Sequence, residues 1–380
     1  MRNCKVAIVH DYLVQMGGAE RVVELLHRMF PDAPIYTAIQ DEARLWPGFR
    51  DADIRTSWMQ HLPGIKKRFK HYFMLYPLAV QSWDLRGYDL VISSSSAYAK
   101  GVRVTGDTLH VCYCHTPMRF AWDFERYMAA SEAGPWQRRL AGWFMPLLRR
   151  WDRANTRGVH HLIANSTAVL QRIRAIYNRS ASLIHPPVNL SRFRVAKSAP
   201  GDYFLVVSRL VSYKRIDLAV EACTRAGKKL IVIGDGPDRP RLEAMAGPTV
   251  RFLGRLDDEQ ITYYMQHCQA LIFPGLEDFG ITPLEVNACG RPVLAFRGGG
   301  ALDTIEPEVN GLFFAKQTAE EVAEGLERVA AFRWDAEKIR RHAEKFGEET
   351  FVRKMESLLE RLMEGKEVDD ETHTLVRRFG

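Results

Sequence analysis

No apolar run in the 380 residues is long enough to cross a bilayer, which takes roughly 18 or more in succession. The opening MRNCKVAIVHDYL holds an apolar stretch far too short for a secretion signal, so a cytoplasmic chain is expected. Cysteine is scarce: six residues, Cys4, Cys112, Cys114, Cys223, Cys268 and Cys289, lie scattered among apolar segments. Cys112 and Cys114 alternate with Val111 and Tyr113, which puts both on one face of a strand rather than in a zinc knuckle. Buried free thiols follow, and the Asn-x-Ser/Thr triplets at Asn165, Asn178 and Asn189 read as chance matches. A complete G-x-G-x-x-G loop is missing too. Neither Gly17-Gly18 nor Gly234-Asp235-Gly236 completes one, which counts against a nicotinamide-dependent oxidoreductase. A recognisable RNA-reading module is also absent, which counts against a non-catalytic RNA-binding protein. Acidic residues are short in one half only. Residues 1–200 carry 28 Lys and Arg against 15 Asp and Glu, and the remainder 25 against 31, within a net charge of +7. So basic a half implies an anionic partner: nucleic acid, a phospholipid surface or a phosphate-bearing substrate.

What is present is an ordinary globular composition, 46% apolar and 26% charged, long enough for two domains. Apolar runs alternate with helical patterns in both halves, which predicts an α/β fold of two doubly wound Rossmann-like domains with a cleft between them. The stretch 269–305, QALIFPGLEDFGITPLEVNACGRPVLAFRGGGALDTI, carries the densest signal. Ala270–Phe273 reads as a buried strand and Leu276–Gly280 as a loop. Thr282 as N-cap, Pro283 at the first helical position and Glu285 three residues on predict a helix with a capping box. Gly290 and Pro292 end that helix before the strand Val293–Phe296. A loop feeding a helix N-terminus binds phosphate through backbone N–H groups and the helix dipole. Glu277 and Glu285 flank it, placed to accept hydrogen bonds from ligand hydroxyls. The bland alternative makes Glu277 a solvated loop charge and Glu285 only a capping partner.

Further candidates come along the chain. Gly17 and Gly18 open a helix after the first strand, as a backbone-to-ligand approach or as an ordinary turn. His115 ends a buried strand, on the ligand side of such a sheet or simply as a satisfied strand-end histidine. Arg209 and Lys214, five residues apart, can grip both phosphates of a diphosphate, Arg as a fork and Lys as a point charge. Gly234-Asp235-Gly236-Pro237 makes a tight turn after another strand. Residues 65–76 gather Ile65, Phe69, Phe73 and Tyr76 on one helical face among lysines, and 136–151 (WQRRLAGWFMPLLRRW) repeats the theme with Pro146 expected to kink it. Both suit either an interfacial helix on anionic lipid or packing into the core.

Two glutamates seven residues apart around Phe-Gly-x-x-Pro-x-Glu, with the Ala-Cys-Gly-Arg-Pro-Val exit and the Gly298–Gly300 turn, resemble retaining glycosyltransferases of family 4, of GT-B fold. MGGAERVVE resembles the first glycine loop of that family. S-R-L-x-x-x-K resembles its diphosphate grip, and HTPMRFAWD its bacterial O-antigen and exopolysaccharide mannosyltransferase branch. The resemblance spans nearly the full chain. It implies catalytic roles for His115, Glu277, Arg209 and Lys214. Around the donor it implies Gly17, Gly18, Gly234, Gly236, Arg255, Leu256, Phe279, Gly280, Ile281, Thr282 and Glu285, with Glu285 at the ribose and Glu277 at the hexose. Arg119 and Asp123 fall on the acceptor side or serve structure. Asp51-Ala-Asp53 has the Asp-x-Asp form with which other glycosyltransferases hold metal, but it reads as a surface loop, and no metal or other cofactor is expected. The implied donor is a nucleotide-sugar, GDP-mannose before a UDP-sugar, and the acceptor a polyprenyl-diphosphate-linked glycan. The implied place is the inner face of the bacterial inner membrane, bound peripherally, with no nucleic-acid partner. Expected boundaries are 1–190, a linker at 191–202, 203–345, and 346–380 as a helix returning to the first domain with a charged tail.

Overall fold

The computed structural model describes residues 4–129 and 134–366. Its backbone divides into two units, one running to Pro186 and resuming at Phe351, the other Pro187–Thr350. The last part of the expected tail, 367–380, lies outside the described residues.

The first unit is built on β1 (Val6–His10), β2 (Ile35–Thr37), β3 (Ile54–Thr56), β4 (Leu90–Ser95), β5 (Leu109–Cys114), β6 (His161–Ala164) and β7 (Ser182–Leu183). Their order is β3-β2-β1-β4-β5-β6-β7, and every pairing is parallel. The runs VAIVH and LVISSS show no alternation because helices cover both faces, and both strands are buried throughout. Val9, Val91 and Tyr76 pack on one face. Ile8, Ile35 and Tyr113 pack on the other, against Phe351, Met355 and Leu359 of the returning helix Glu348–Met363. Cys112 and Cys114 share a further cluster with Leu162 and Ala164, and all six cysteines are free thiols.

The second unit repeats the plan with β8 (Tyr203–Val207), β9 (Lys229–Ile233), β10 (Val250–Gly254), β11 (Leu271–Phe273), β12 (Val293–Phe296) and β13 (Gly311–Phe314). Their order is β10-β9-β8-β11-β12-β13, again all parallel. In both sheets the winding reverses beside the first strand, between β1 and β4 and between β8 and β11. Such switch points open a crevice at the carboxyl ends of the strands, where ligands bind. Residues 191–202 are packed into this unit: Phe193 is buried, and the Arg340 guanidinium donates to the carbonyls of Phe193, Leu190 (3.1 Å) and Ala288 (2.9 Å).

Two local expectations need correction or a choice. Residues 65–76 form no single helix but the short turns Ile65–Arg68 and Phe69–Tyr72, followed by helix Tyr76–Val80. Their apolar side chains turn inward: Ile65 and Tyr76 are buried, and Phe69 and Phe73 pack against the same core. Core packing, not lipid, accounts for them. Residues 136–151 differ. They lie on one helix, Pro135–Thr156, which continues through Pro146. Met145 and Leu148 face the core, whereas Trp136, Leu140, Trp143 and Leu147 are exposed at i, i+4, i+7 and i+11, a single helical stripe. The inner face is pinned by the fully buried pair Lys100 and Asp152, 2.6 Å apart. Asp152 also accepts from Trp122 Nε1 and Tyr177 Oη, both at 2.7 Å.

Candidate functional site

Parallel strands end on one edge, and the second sheet places the predicted donor residues there. Arg209 follows β8, Gly234 and Gly236 follow β9, Arg255 and Leu256 follow β10, and Glu277 follows β11. The Gly298–Gly300 turn follows β12 on the same edge. Lys214 closes a short turn, Ser212–Lys214, ahead of helix Ile216–Arg225.

The decisive contact joins residues 63 positions apart in sequence: Lys214 Nζ forms an ion pair with a carboxylate oxygen of Glu277, each side chain 17% exposed. Arg209, exposed on the neighbouring loop, donates from Nη2 to Tyr213 Oη at 3.0 Å. The Lys214 ammonium stands 5.7 Å from the centre of the Tyr213 ring. Tyr213 therefore touches both cations and holds them on one side of the β8 loop, an arrangement suited to two adjacent phosphates. Arg255 and Leu256 sit at the edge strand, two strands from β8, Arg255 exposed and Leu256 half-buried against the core.

The glycines shape this edge by letting backbones meet. Gly234 has φ +128°, and a Cβ there would stand 1.9 Å from the Ser208 carbonyl oxygen. A Cβ on Gly236 would stand 2.2 Å from that of Leu210. The β9 turn is thus packed under the loop that presents Arg209. On the other side Gly299, at φ +60°, would put a Cβ 2.2 Å from the Glu277 carbonyl oxygen, while the Gly300 amide donates to that oxygen at 2.9 Å. The three-glycine turn supports the Glu277 loop from below.

The helix after that loop starts earlier than its sequence suggests. It runs Ile281–Ala288 with Gly280 as N-cap, φ +83°, and no side chain caps it. Thr282 is inside the first turn, so the expected Thr282–Glu285 capping box does not form. The proline lacks an amide to bond, and Gly280 takes the cap because only glycine reaches that φ without strain. The first-turn amides of Ile281 and Thr282 lie at a helix N-terminus, an end that suits an anion. Phe279 is buried in the core, ring to ring with Phe346, so its backbone alone faces the loop. Glu285 is half-buried on the helix.

In the first unit, Gly17 is the N-cap and Gly18 the first residue of helix Gly18–Met29. A Cβ on Gly17 would stand 3.3 Å from a Glu20 carboxylate oxygen, so that helix start is already served by a buried acid. His115 follows β5, with 8% of its surface exposed, its carbonyl accepting from Asn165 Nδ2 at 3.0 Å. Burial, reinforced by His10, pushes its pKa down to about 3, and the ring is neutral at neutral pH. Arg119 and Asp123 begin and follow the short helix Arg119–Trp122. Sequence reasoning passed over His10, Glu20 and Ser94. The signal was an acid two residues past a glycine pair, after a strand-end histidine. Asp53 is held by Arg55, Nη2 to Oδ2 2.6 Å, and among the described residues no group of three or more His, Cys, Asp or Glu gathers as metal ligands.

Two family models match, "Glycosyltransferase Family 4" over residues 16–192 and "Glycosyl transferases group 1" over 189–348. Between them they take in most of the chain, which is a glycosyltransferase of the family 4 type. The fold agrees: a structure of Anabaena HepE in complex with UDP and glucose superposes with a TM-score of 0.71 at 18% identity, covering 94% of this chain and 100% of that one. It is a GT-B fold of two Rossmann-like domains. Among curated relatives, an uncharacterized glycosyltransferase of Methanocaldococcus jannaschii is 29% identical over 178 residues, 42% of this chain and 45% of the relative. A GDP-mannose-dependent alpha-mannosyltransferase of Corynebacterium glutamicum is 33% identical over 107 residues, 28% of this chain and 26% of the relative. The matched stretches span less than half the length of these relatives.

Proposed function

We propose that the chain is a retaining, metal-independent hexosyltransferase that moves mannose from GDP-mannose to a polyprenyl-diphosphate-linked saccharide in bacterial surface polysaccharide synthesis. The observation that carries this is the meeting of Lys214, Arg209 and Glu277 at the switch point of the second sheet, above an uncapped helix N-terminus. Two cations and a helix N-terminus suit a diphosphate, and two acids suit sugar alcohols. Arg209 and Lys214 grip the diphosphate, Glu285 the ribose and Glu277 the hexose. Cations and helix dipole carry the leaving-group charge without a metal. Departure breaks the bond from the anomeric carbon to the diphosphate oxygen. The acceptor oxygen bonds to the same face, and the departing oxygen takes its proton. His115, neutral, donates a hydrogen bond on the sugar's 6-hydroxyl side rather than a charge.

The donor sugar rests on the HTPMRFAWD resemblance and on the mannosyltransferase relative. The lipid-linked acceptor rests on the basic first half and on the exposed helix stripe. Arg139 and Arg150 border the stripe, so Trp136, Leu140, Trp143 and Leu147 can enter the headgroup layer while the guanidinium groups meet phosphates. That would hold the protein peripherally at the inner face of the membrane. The test offers GDP-mannose, UDP-glucose and UDP-galactose in competition for a lipid-linked acceptor. Transfer of mannose alone is expected; transfer from a UDP-sugar alone would move the chain to the UDP-dependent members of its family.

A further inference from the structure

We propose that Glu20, His10 and Ser94 form a positioning relay that fixes the tautomer and orientation of His115; it rests on the reading above that His115 works on the sugar. The four side chains form one chain of contacts within the first unit. Glu20, in the first turn of helix Gly18–Met29, places Oε1 3.7 Å from Nε2 of His10. Nδ1 of His10 lies 3.1 Å from the Ser94 carbonyl oxygen and 3.2 Å from Ser94 Oγ. Ser94 Oγ lies 2.8 Å from His115 Nε2. Exposure is 3% at Glu20, 2% at His10, 0% at Ser94 and 8% at His115.

Hydrogen-bond polarity sets the direction of the chain. A carbonyl oxygen only accepts, so Nδ1 of His10 carries a proton and donates it toward Ser94. Burial opposes charge on His10, but the Glu20 carboxylate outweighs it and pushes the His10 pKa up. With its oxygen facing that donor, the Ser94 hydroxyl directs its own hydrogen to Nε2 of His115. The proton of neutral His115 is then on Nδ1. His10 also helps to hold the His115 pKa down, after burial. The outcome is a histidine held as a neutral Nδ1–H donor of fixed orientation. Remove the relay, and the Ser94 hydroxyl is free to accept instead, leaving the tautomers mixed.

The placement favours this role over bulk packing. Four polar side chains buried at the carboxyl edge of β1, β4 and β5 are costly unless each is bonded, and here the bonds run in series toward one ring. The end of β4 is held rigidly besides. Asp11 accepts from the backbone N–H groups of Ser96, Ala97, Tyr98 and Ala99 at 2.6–3.0 Å.

The test is the ¹⁵N side-chain spectrum of His115 in the full chain without ligand, assigned by difference with His115→Gln. The wild type should show protonated Nδ1 and acceptor-type Nε2. Ser94→Ala should move the ring toward the Nε2–H form, and Glu20→Gln should lower the titration midpoint of His10. In turnover, Ser94→Ala should lower kcat roughly 10-fold or more at little change in donor KM, since partners of a working imidazole are worth that much. It should cost nothing further in a His115→Ala background. An Nε2–H wild type, unchanged shifts in both variants, or an equal loss without His115 would each overturn the relay. Because the spectrum needs no turnover, absence of mannosyl transfer would bear on the proposed function alone.

Discussion

At the scale of single residues, the charges that make the candidate site meet only in the folded chain. Lys214 pairs with Glu277 across 63 positions, and no sequence pattern states that contact. The separate motifs were legible: a cation pair after one strand, acids after another. Their meeting follows from sheet order, which places β8 beside β11. Lys214→Ala should lower kcat/KM roughly 10²–10³-fold, the usual loss of one strong donor to developing charge. Circular dichroism and melting temperature should stay near those of the wild type, because the lysine is a partly exposed loop residue. The buried pair behaves otherwise. Asp152→Asn should cost about 3–5 kcal/mol in urea unfolding, since it leaves the Lys100 ammonium enclosed without its counter-charge. The capping box at Thr282 was misread because cap chemistry was inferred from residue type. Gly280, able to take φ +83°, ends the loop two residues sooner.

At the scale of elements, apolar runs located most strands but missed the short β2 and β3 and the helix Asp258–His267, and periodicity left the two aromatic segments alike. Residues 65–76 break into turns whose rings fill the core, while helix Pro135–Thr156 shows its stripe to solvent. Amphipathic spacing reports which side chains share a face; what that face meets is decided by packing. Trp143→Glu with Leu147→Glu should therefore cut binding to vesicles rich in anionic lipid at least roughly tenfold in a flotation assay, without lowering the melting temperature. Undiminished binding would remove the helix from the membrane. Strand β5 makes a second prediction. His110 sits near its start and His115 follows its end, and burial first, then a neighbouring histidine, pushes each pKa down to about 3. The unfolded chain binds these protons near the ordinary value of 6.5 and the native chain does not. Stability present above pH 6.5 is thus lost as pH falls toward 3. Melting scans from pH 7.5 to pH 5 should show the decline, and His110→Asn should make it shallower.

At the scale of the whole molecule, two sheets of one winding order divide the work that the charge asymmetry foreshadows. The proposed diphosphate grip falls in the acidic half, and the exposed stripe and the proposed histidine relay fall in the basic half. Doubly wound folds were legible because fully buried parallel strands leave unbroken apolar runs, and the glycine turns between them leave their own mark. Donor base and sugar were not, because the positions proposed to meet the base, Arg255 and Leu256, lie in a loop that many residue types can fill. Transfer should persist in EDTA, since the proposed leaving-group charge falls on Arg209, Lys214 and helix amides; a complete loss restored by Mg²⁺ would reverse that part. The central claim, a nucleotide diphosphate gripped in the second unit, is tested most directly by calorimetric titration of GDP into the wild type and Lys214→Ala. Saturable binding that weakens at least roughly tenfold in the variant is the predicted result. Equal affinity in both proteins, or no nucleotide binding at all, would contradict it.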